Sequence, residues 1–119
     1  MPDLVVYTLA NCDTCRRATR WLRAQGLEFD ERPIRETPPT RAELRRALAA
    51  VGDRRKLFNS SGLEYRAQQL GEKLPALSDQ AALELLAGNG RLVKRPFLIG
   101  PDLALVGFDE AAWRAALGC

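Results

Sequence analysis

The most constraining feature of this sequence is a pair of cysteines, Cys12 and Cys15, placed where an apolar segment gives way to an amphipathic one. Residues 4–7 form a short β-branched run of the length expected for a buried strand. After the cysteines, apolar residues recur at three- and four-residue spacing through residues 18–22, which is typical of one face of a helix. We therefore predict that Cys12 lies at a helix N-terminus directly after a buried strand.

This placement of the two cysteines predicts a chemistry. Unpaired N–H groups at a helix N-terminus favour the thiolate form of a cysteine, and Arg16 and Arg17 lie close by in the sequence. Cys12 is therefore the predicted nucleophile. Cys15 lies one turn further along, where it can attack a mixed species at Cys12 and close an intramolecular disulfide. The pair predicts thiol–disulfide exchange, with Cys15 as the resolving thiol.

Two structural interpretations compete with this one. Free cysteines often pack in a core as small apolar residues. Half a zinc site is the other alternative, but it needs a second pair of ligands, and the remaining cysteine is the terminal Cys119. The chain has no histidine, which excludes Ser-His-Asp and Cys-His catalysis. We expect no metal site, and we interpret Cys119 as an incidental thiol at a chain end.

The segments that follow alternate between strand and helix patterns. Residues 27–30 alternate apolar and polar residues, which indicates a second strand. Thr40 and Glu43 form a capping box before a helix that ends at Gly52. Further short helical patterns, one of them capped by Ser78, continue to residue 90. The stretch from about residue 40 to 90 is therefore predicted to be a helical insertion.

The end of the chain predicts a hairpin and a last helix. Residues 97–99 and 103–106 are apolar and flank a Gly-Pro-Asp turn. Asp109 can cap a helix, with Phe108 and Trp113 in the positions of a hydrophobic staple across that cap. The predicted order is βαβ, helices, ββ and α, which is an α/β fold.

Length and composition bound the class of protein. At 119 residues, without a repeat or linker, residues 1–119 are predicted to form a single domain. No apolar run approaches the roughly 18 residues of a membrane span, and no signal-peptide pattern opens the chain, so we expect a cytoplasmic protein without membrane contact. The net charge is +3 with arginines scattered among acids, so no direct nucleic-acid binding is expected.

Three motifs carry a resemblance to a known family. They are Asn-Cys-Asp-Thr-Cys-Arg at residues 11–16, Glu-Thr-Pro-Pro-Thr-Arg-Ala-Glu-Leu at 36–44, and Lys-Arg-Pro at 94–96 followed by Val-Gly-Phe at 106–108. With these motifs in this order, nearly the whole chain resembles the ArsC/Spx family of thioredoxin-like arsenate reductases and Spx-type redox regulators of transcription. The resemblance implies a thioredoxin-like βαβ…ββα core with a four-stranded mixed sheet and a cis peptide bond before Pro96.

The resemblance also implies roles for residues. In reductases of the family the cysteine matching Cys12 attacks arsenate, and Arg16 and Arg95 match arginines that bind the oxyanion. Cys15 would then displace arsenite. Three further residues of these motifs are expected to support the site: Asn11, Thr14 and Pro96. The implied function is a thiol-dependent arsenate reductase with no bound cofactor, recycled by thioredoxin or by glutathione and glutaredoxin.

The chain departs from the family reductases at three places. Glutathione-linked members usually have serine where this chain has Cys15. Two further arginines of those enzymes fall near Asn59 and Gly107, and neither residue can replace a guanidinium. Arg55 and Arg66 lie near the first of these positions in sequence but belong to none of the matching motifs.

Two alternative functions use the same dithiol. One is an Spx-like regulator in which the Cys12–Cys15 pair senses oxidation and the protein surface binds RNA polymerase. The other is a general thiol–disulfide oxidoreductase of the glutaredoxin kind, which acts on proteins without arsenate. Turnover of arsenate discriminates the reductase from both.

Overall fold

A computed structural model describes residues 3–119, so Met1 and Pro2 of the predicted domain lie outside the described residues. The helices and strands in chain order are β1 (Leu4–Thr8), α1 (Asp13–Ala24), β2 (Phe29–Pro33), α2 (Arg41–Val51), α3 (Leu63–Ala67), α4 (Leu70–Lys73), α5 (Asp79–Gly88), β3 (Phe97–Gly100), β4 (Leu103–Val106) and α6 (Glu110–Leu117). Three short 3₁₀ turns lie at Arg54–Leu57, Leu74–Ala76 and Gly90–Leu92.

The four strands form one mixed sheet in the order β2-β1-β3-β4. β1 pairs in parallel with β2, because α1 carries the chain back across the sheet between them. β3 pairs antiparallel with β1 and with β4, so the predicted hairpin is confirmed. The α/β fold, the four-stranded mixed sheet and the helical insertion between β2 and β3 are all confirmed.

Helices cover both faces of the sheet, because successive strand residues point to opposite sides. On one face, Val6 and Leu98 pack with α1 and α6 through Leu22 and Trp113. On the other face, a larger cluster packs against the helical insertion, and its buried strand residues are Tyr7, Phe97, Ile99 and Ala104. The first and last helices thus form one layer, and the insertion forms the other.

The second strand differs in its bounds from the prediction of residues 27–30. α1 ends through Gly26, whose φ of 74° places it in the left-handed region, and the Leu27 N–H bonds back to the Leu22 carbonyl at 3.1 Å. Leu27 therefore belongs to the turn that caps the C-terminus of α1 and not to the strand. Pairing with β1 then sets the strand, from Leu4 opposite Phe29 to Thr8 opposite Pro33.

The predicted helix caps are confirmed. The Thr40 and Glu43 side chains each accept a hydrogen bond from the other's backbone N–H, at 3.1 and 2.9 Å. Ser78 caps α5 by accepting from the Ala81 N–H. Asp109 caps α6, and the Phe108 and Trp113 rings meet edge to face with centroids 5.0 Å apart. Trp21 of α1 contacts both rings, with its centroid 6.0 Å from that of Phe108 and 6.4 Å from that of Trp113, and so positions α6 against α1.

Candidate active site

Cys12 is the N-cap of α1, as the sequence predicts. Its backbone is extended, with φ −109° and ψ 110°, and its Sγ accepts the backbone N–H of Cys15 at 3.2 Å. Cys12 is half-buried and Cys15 is buried, and both thiols are free. The two sulfurs therefore lie on the same end of one helix, with the first toward solvent and the second toward the core.

Cys15 sits in an environment that keeps its thiol protonated. Burial, followed by the hydrogen bond with Cys12, raises the pKa of the Cys15 thiol from 9.0 to about 12. The backbone N–H of Leu9 and the positive charge of Arg95 oppose this rise. Cys15 therefore remains a neutral thiol at physiological pH until chemistry at Cys12 changes its surroundings.

A pocket of about 530 Å³ opens beside Cys15. Asn11, at a left-handed φ of 62°, and Arg16 are among the residues that line it. The Arg16 guanidinium donates a hydrogen bond to Asp13 one turn earlier, and its side chain is about half exposed, at 55%. Arg16 thus lines the pocket beside Cys15, but its guanidinium is paired with the Asp13 carboxylate.

The remaining candidates from the sequence lie on α1 and on the loop before β3. Thr14 is half-buried in the first turn of α1. Pro96 is buried after a cis Arg95–Pro96 bond, which confirms the bond that the resemblance implies, and its carbonyl accepts the Gly107 N–H at 2.8 Å. Arg95 itself is half-buried and lies close enough to Cys15 to influence its ionisation.

Arg95 belongs to a second, larger cleft. This cleft has a volume of about 640 Å³ and is also lined by Arg35 and Arg91. The sequence analysis missed both residues, since neither lies in one of the family motifs. Arg35 directly follows the buried Ile34, just after β2, and Arg91 precedes Arg95 on the loop before β3. Each position is a weak signal by itself. The structure brings three guanidinium groups to one cavity.

The two positions that lack family arginines have distinct surroundings. Asn59 lines this larger cleft, whereas Arg55 and Arg66 are not among the cleft-lining residues, and Arg55 pairs with Asp53 at 3.0 Å. At Gly107, whose φ is +72°, a Cβ would lie 3.1 Å from the Lys94 Cε. The lysine chain therefore occupies the space where a side chain at position 107 would begin.

Among residues 3–119, no helix combines the length and the apolar character needed to cross a membrane. The same residues contain no group of three or more Cys, Asp or Glu side chains arranged to hold a metal ion.

The comparisons with known proteins agree with the geometry. The chain is 43% identical over 109 residues to the uncharacterized protein YusI of Bacillus subtilis, covering 91% of this chain and 92% of that one. It is 34% identical over 107 residues to the global transcriptional regulator Spx of Enterococcus faecalis, covering 90% and 80%. The solved structure of a possible arsenate reductase from Streptococcus mutans matches with a TM-score of 0.85 and 36% identity, covering 91% and 92%. Because the ArsC family model also matches residues 7–116, the chain belongs to the ArsC family.

Proposed function

We propose that this protein is a cytoplasmic thiol-dependent reductase that converts arsenate to arsenite, with Cys12 as nucleophile and Cys15 as resolving thiol. The observation that carries the proposal is the arrangement of the two thiols on α1, with the Cys12 Sγ capping the helix and accepting the Cys15 N–H at 3.2 Å. N–H groups at a helix N-terminus stabilise negative charge on an atom placed there. Cys12 is therefore the more accessible sulfur of the pair and the one placed at the helix N-terminus.

The two cysteines divide the reaction into two steps. The Cys12 thiolate attacks arsenic(V), a hydroxide leaves as water after protonation, and a sulfur–arsenic bond forms. The Cys15 sulfur, as it gives up its proton, then attacks the Cys12 sulfur and the sulfur–arsenic bond breaks. The bonding pair stays on arsenic, which leaves as arsenite. Arsenic gains two electrons and the dithiol loses two as it becomes the Cys12–Cys15 disulfide.

Anion binding and recycling complete the proposed cycle. Arg95 is the cation we assign to the oxyanion, because it is close enough to the thiols to influence Cys15. Arg16 can join it by leaving Asp13, since the pair is largely exposed and such pairs are weak. An external reductant, either thioredoxin or glutathione with glutaredoxin, restores both thiols, and no bound cofactor takes part.

The test is NADPH-coupled arsenate reduction by the purified protein, supplied with thioredoxin and thioredoxin reductase or with glutathione, glutaredoxin and glutathione reductase. We expect turnover that is lost in Cys12→Ser and Cys15→Ser and retained in the matched control Cys119→Ser, whose thiol is exposed at the chain end. Absence of turnover with both reductant systems, in a protein whose Cys12–Cys15 disulfide forms and is reduced, would contradict the arsenate assignment.

A redox regulator is the second candidate, and the similarity to the regulator Spx over 90% of this chain favours it. In that case the same dithiol senses oxidation, and the partner is RNA polymerase. Co-purification of polymerase that depends on the oxidation state of Cys12 and Cys15, without arsenate turnover, would favour the regulator. Mixed disulfides with other proteins, trapped by Cys15→Ser, would instead favour a general thiol–disulfide oxidoreductase.

A further inference from the structure

The pocket beside Cys15, which we call the thiol pocket, gathers the polar groups that this fold buries. Apart from the aromatic residues and the thiol itself, Thr8 and Thr19 are the only buried side chains with a polar group among residues 3–119, each 6% exposed. Both of them line the thiol pocket. Because burying a polar group is unfavourable, most buried side chains elsewhere in the described chain are apolar. The polar groups are thus concentrated around one thiol.

The register of the sheet places a carboxylate at the same pocket. Glu31 of β2 lies opposite Val6 of β1, and Val6 belongs to the cluster that packs under α1. Thr8 lies two residues beyond Val6 and therefore points to the same face. On α1, Cys15 and Thr19 are four residues apart and share one side of the helix. The thiol pocket is the space between these elements, and Glu31 is the one acidic side chain among the described residues that line it.

The two hydroxyl groups are bonded so that their oxygens can still accept. The Thr8 hydroxyl donates to the Glu31 Oε2 at 2.6 Å. The Thr19 hydroxyl lies 3.2 Å from the carbonyl oxygens of both Cys15 and Arg16, to which it donates. A hydroxyl has one donor and two acceptor lone pairs, so each oxygen keeps a free acceptor position. The Thr8 hydroxyl can therefore take up a proton while it passes its own to Glu31.

The thiol pocket also connects the thiol to solvent. Its volume of about 530 Å³ is enough for several water molecules, each of which takes about 30 Å³ in the liquid. The Glu31 side chain is 44% exposed, so a proton on its carboxylate can leave to bulk water. Arg23 lies 3.6 Å from the Oε1 of this carboxylate, whereas Thr8 bonds to its Oε2. One carboxylate oxygen therefore faces the threonine and the other the arginine.

The charged and titratable groups around Cys15 come from three elements and one loop. They are Cys12 and Arg16 from α1, Arg95 from the loop before β3, and Glu31 from β2. The two arginines have no lone pair with which to accept a proton. Cys12 is covalently bound to its substrate when Cys15 attacks it. Of these groups, Glu31 is the one that can accept a proton at that moment.

We propose that Glu31 accepts the proton of Cys15, through the Thr8 hydroxyl and the water of the thiol pocket, as Cys15 attacks the Cys12 sulfur. This inference rests on the dithiol chemistry proposed above and adds the proton acceptor of its second step. The S–H bond of Cys15 breaks and the Cys12–Cys15 bond forms. The bond between Cys12 and its bound group breaks, and the departing group keeps the electron pair. Because a thiol reacts as its thiolate and burial raises the pKa of Cys15 to about 12, this step needs a proton acceptor at neutral pH.

The test follows disulfide closure by stopped flow in the full-length reduced protein with Cys119→Ser, in which Cys12 and Cys15 are the remaining thiols. Ellman's reagent reacts at Cys12 and releases one coloured thiolate, and closure by Cys15 releases a second. We expect Glu31→Gln to slow the second phase about a hundredfold at neutral pH, the lower end of the usual contribution of a positioned base. The first phase should be the same as in the Cys119→Ser parent.

The pH profile of the second phase distinguishes a proton acceptor from a structural role. In Glu31→Gln the proton of Cys15 passes to hydroxide, so the closure rate should rise about tenfold for each pH unit. The parent should show a shallower profile, because its carboxylate accepts the proton. Glu31→Asp keeps a carboxylate and should recover part of the rate. Thr8→Val removes the hydroxyl between Cys15 and Glu31 and should slow closure.

Two matched controls change charges that lie close to Glu31. Asp30→Asn removes a carboxylate of β2 that points to the opposite face of the sheet and does not line the thiol pocket. Arg23→Gln removes the ion pair with Glu31 and leaves the carboxylate in place. Both variants should close as fast as the parent.

Three results would overturn the proposal. They are a parent-like closure rate in Glu31→Gln, an equal slowing in either control variant, and parallel pH profiles in Glu31→Gln and the parent. A parent-like rate in Thr8→Val would overturn the route through that hydroxyl. Since arsenate takes no part in the measurement, the proposal can fail while the reductase activity stands, and the reverse also holds.

Discussion

Gly90 is the residue whose lack of a side chain most affects the larger cleft, which Arg35, Arg91 and Arg95 line. Its backbone conformation is ordinary, so the requirement for glycine is steric and comes from the Ile34 carbonyl against which it packs. Neighbouring backbone cannot swing aside as the end of a flexible side chain can. A side chain at position 90 would therefore separate Arg91 from Arg35.

Gly90→Ala should lower the free energy of unfolding by about 1–3 kcal/mol, the usual range for overpacking. Gly88→Ala is the matched control, since a Cβ there meets nothing within 4 Å. Urea unfolding of the two variants provides the measurement. Equal stability of the two variants would contradict the steric argument.

At the scale of the element, the start of α2 connects a helix cap to the core. The Glu43 Oε1 accepts the Thr40 N–H at 2.9 Å and the Tyr7 hydroxyl at 2.7 Å. Tyr7 is fully buried, and the Arg32 guanidinium donates to its oxygen at 3.2 Å. One carboxylate therefore completes the capping box and also satisfies a buried hydroxyl of β1.

We expect Thr40→Ala to cost about 1 kcal/mol of unfolding free energy, the typical value for a lost N-cap. Glu43→Ala should cost more, because it also leaves the buried Tyr7 hydroxyl without its acceptor. Thr37→Ala, at an exposed threonine between β2 and α2, should be close to neutral. Thermal or urea denaturation ranks the three variants. A cost for Glu43→Ala no greater than that for Thr40→Ala would show that the bond to Tyr7 contributes little.

At the scale of the whole molecule, burial makes stability depend on alkaline pH. Burial is the main cause that raises the pKa of Cys15 from 9.0 to about 12 and that of Tyr7 from 10.0 to about 12. Both groups are neutral when protonated. At a pH between the ordinary pKa of each group and its raised value in the folded protein, the folded state keeps a proton that the unfolded chain has lost. The unfolding free energy therefore contains a contribution that is present below pH 9 and is lost as the pH rises toward 12.

Urea unfolding of the reduced protein from pH 8 to 11 should accordingly show a falling unfolding free energy above pH 9. Cys15→Ala should flatten the part of this slope that begins near pH 9, since the buried thiol no longer titrates. Cys119→Ala removes an exposed thiol instead and should leave the slope as in wild type. The same slope in Cys15→Ala and wild type would mean that Cys15 ionises equally in both states.

Local signals were enough to predict much of this protein. The strand before Cys12, the caps at Thr40 and Ser78 and the turn at residues 100–102 were all correct, because each depends on the chemistry of residues adjacent in the chain. The motif around Cys12 and Cys15 likewise identified the thiol pair, since a helix of known start places its first residues. The roles of Arg16 and Arg95 stay predictions, although both residues line cavities at the site.

Other features were decided by tertiary structure alone. The bounds of β2 depend on its pairing with β1, and the raised pKa of Cys15 depends on burial by residues far from it in sequence. The larger cleft brings Arg35 together with Arg91 and Arg95, and the backbone contact at Gly90 joins the two segments that carry them. The sequence by itself therefore determined the order of the elements and the place of the cysteine pair at the start of α1, because these follow from neighbouring residues. Only the folded chain determined which charges meet, because that depends on how the backbone of distant segments packs.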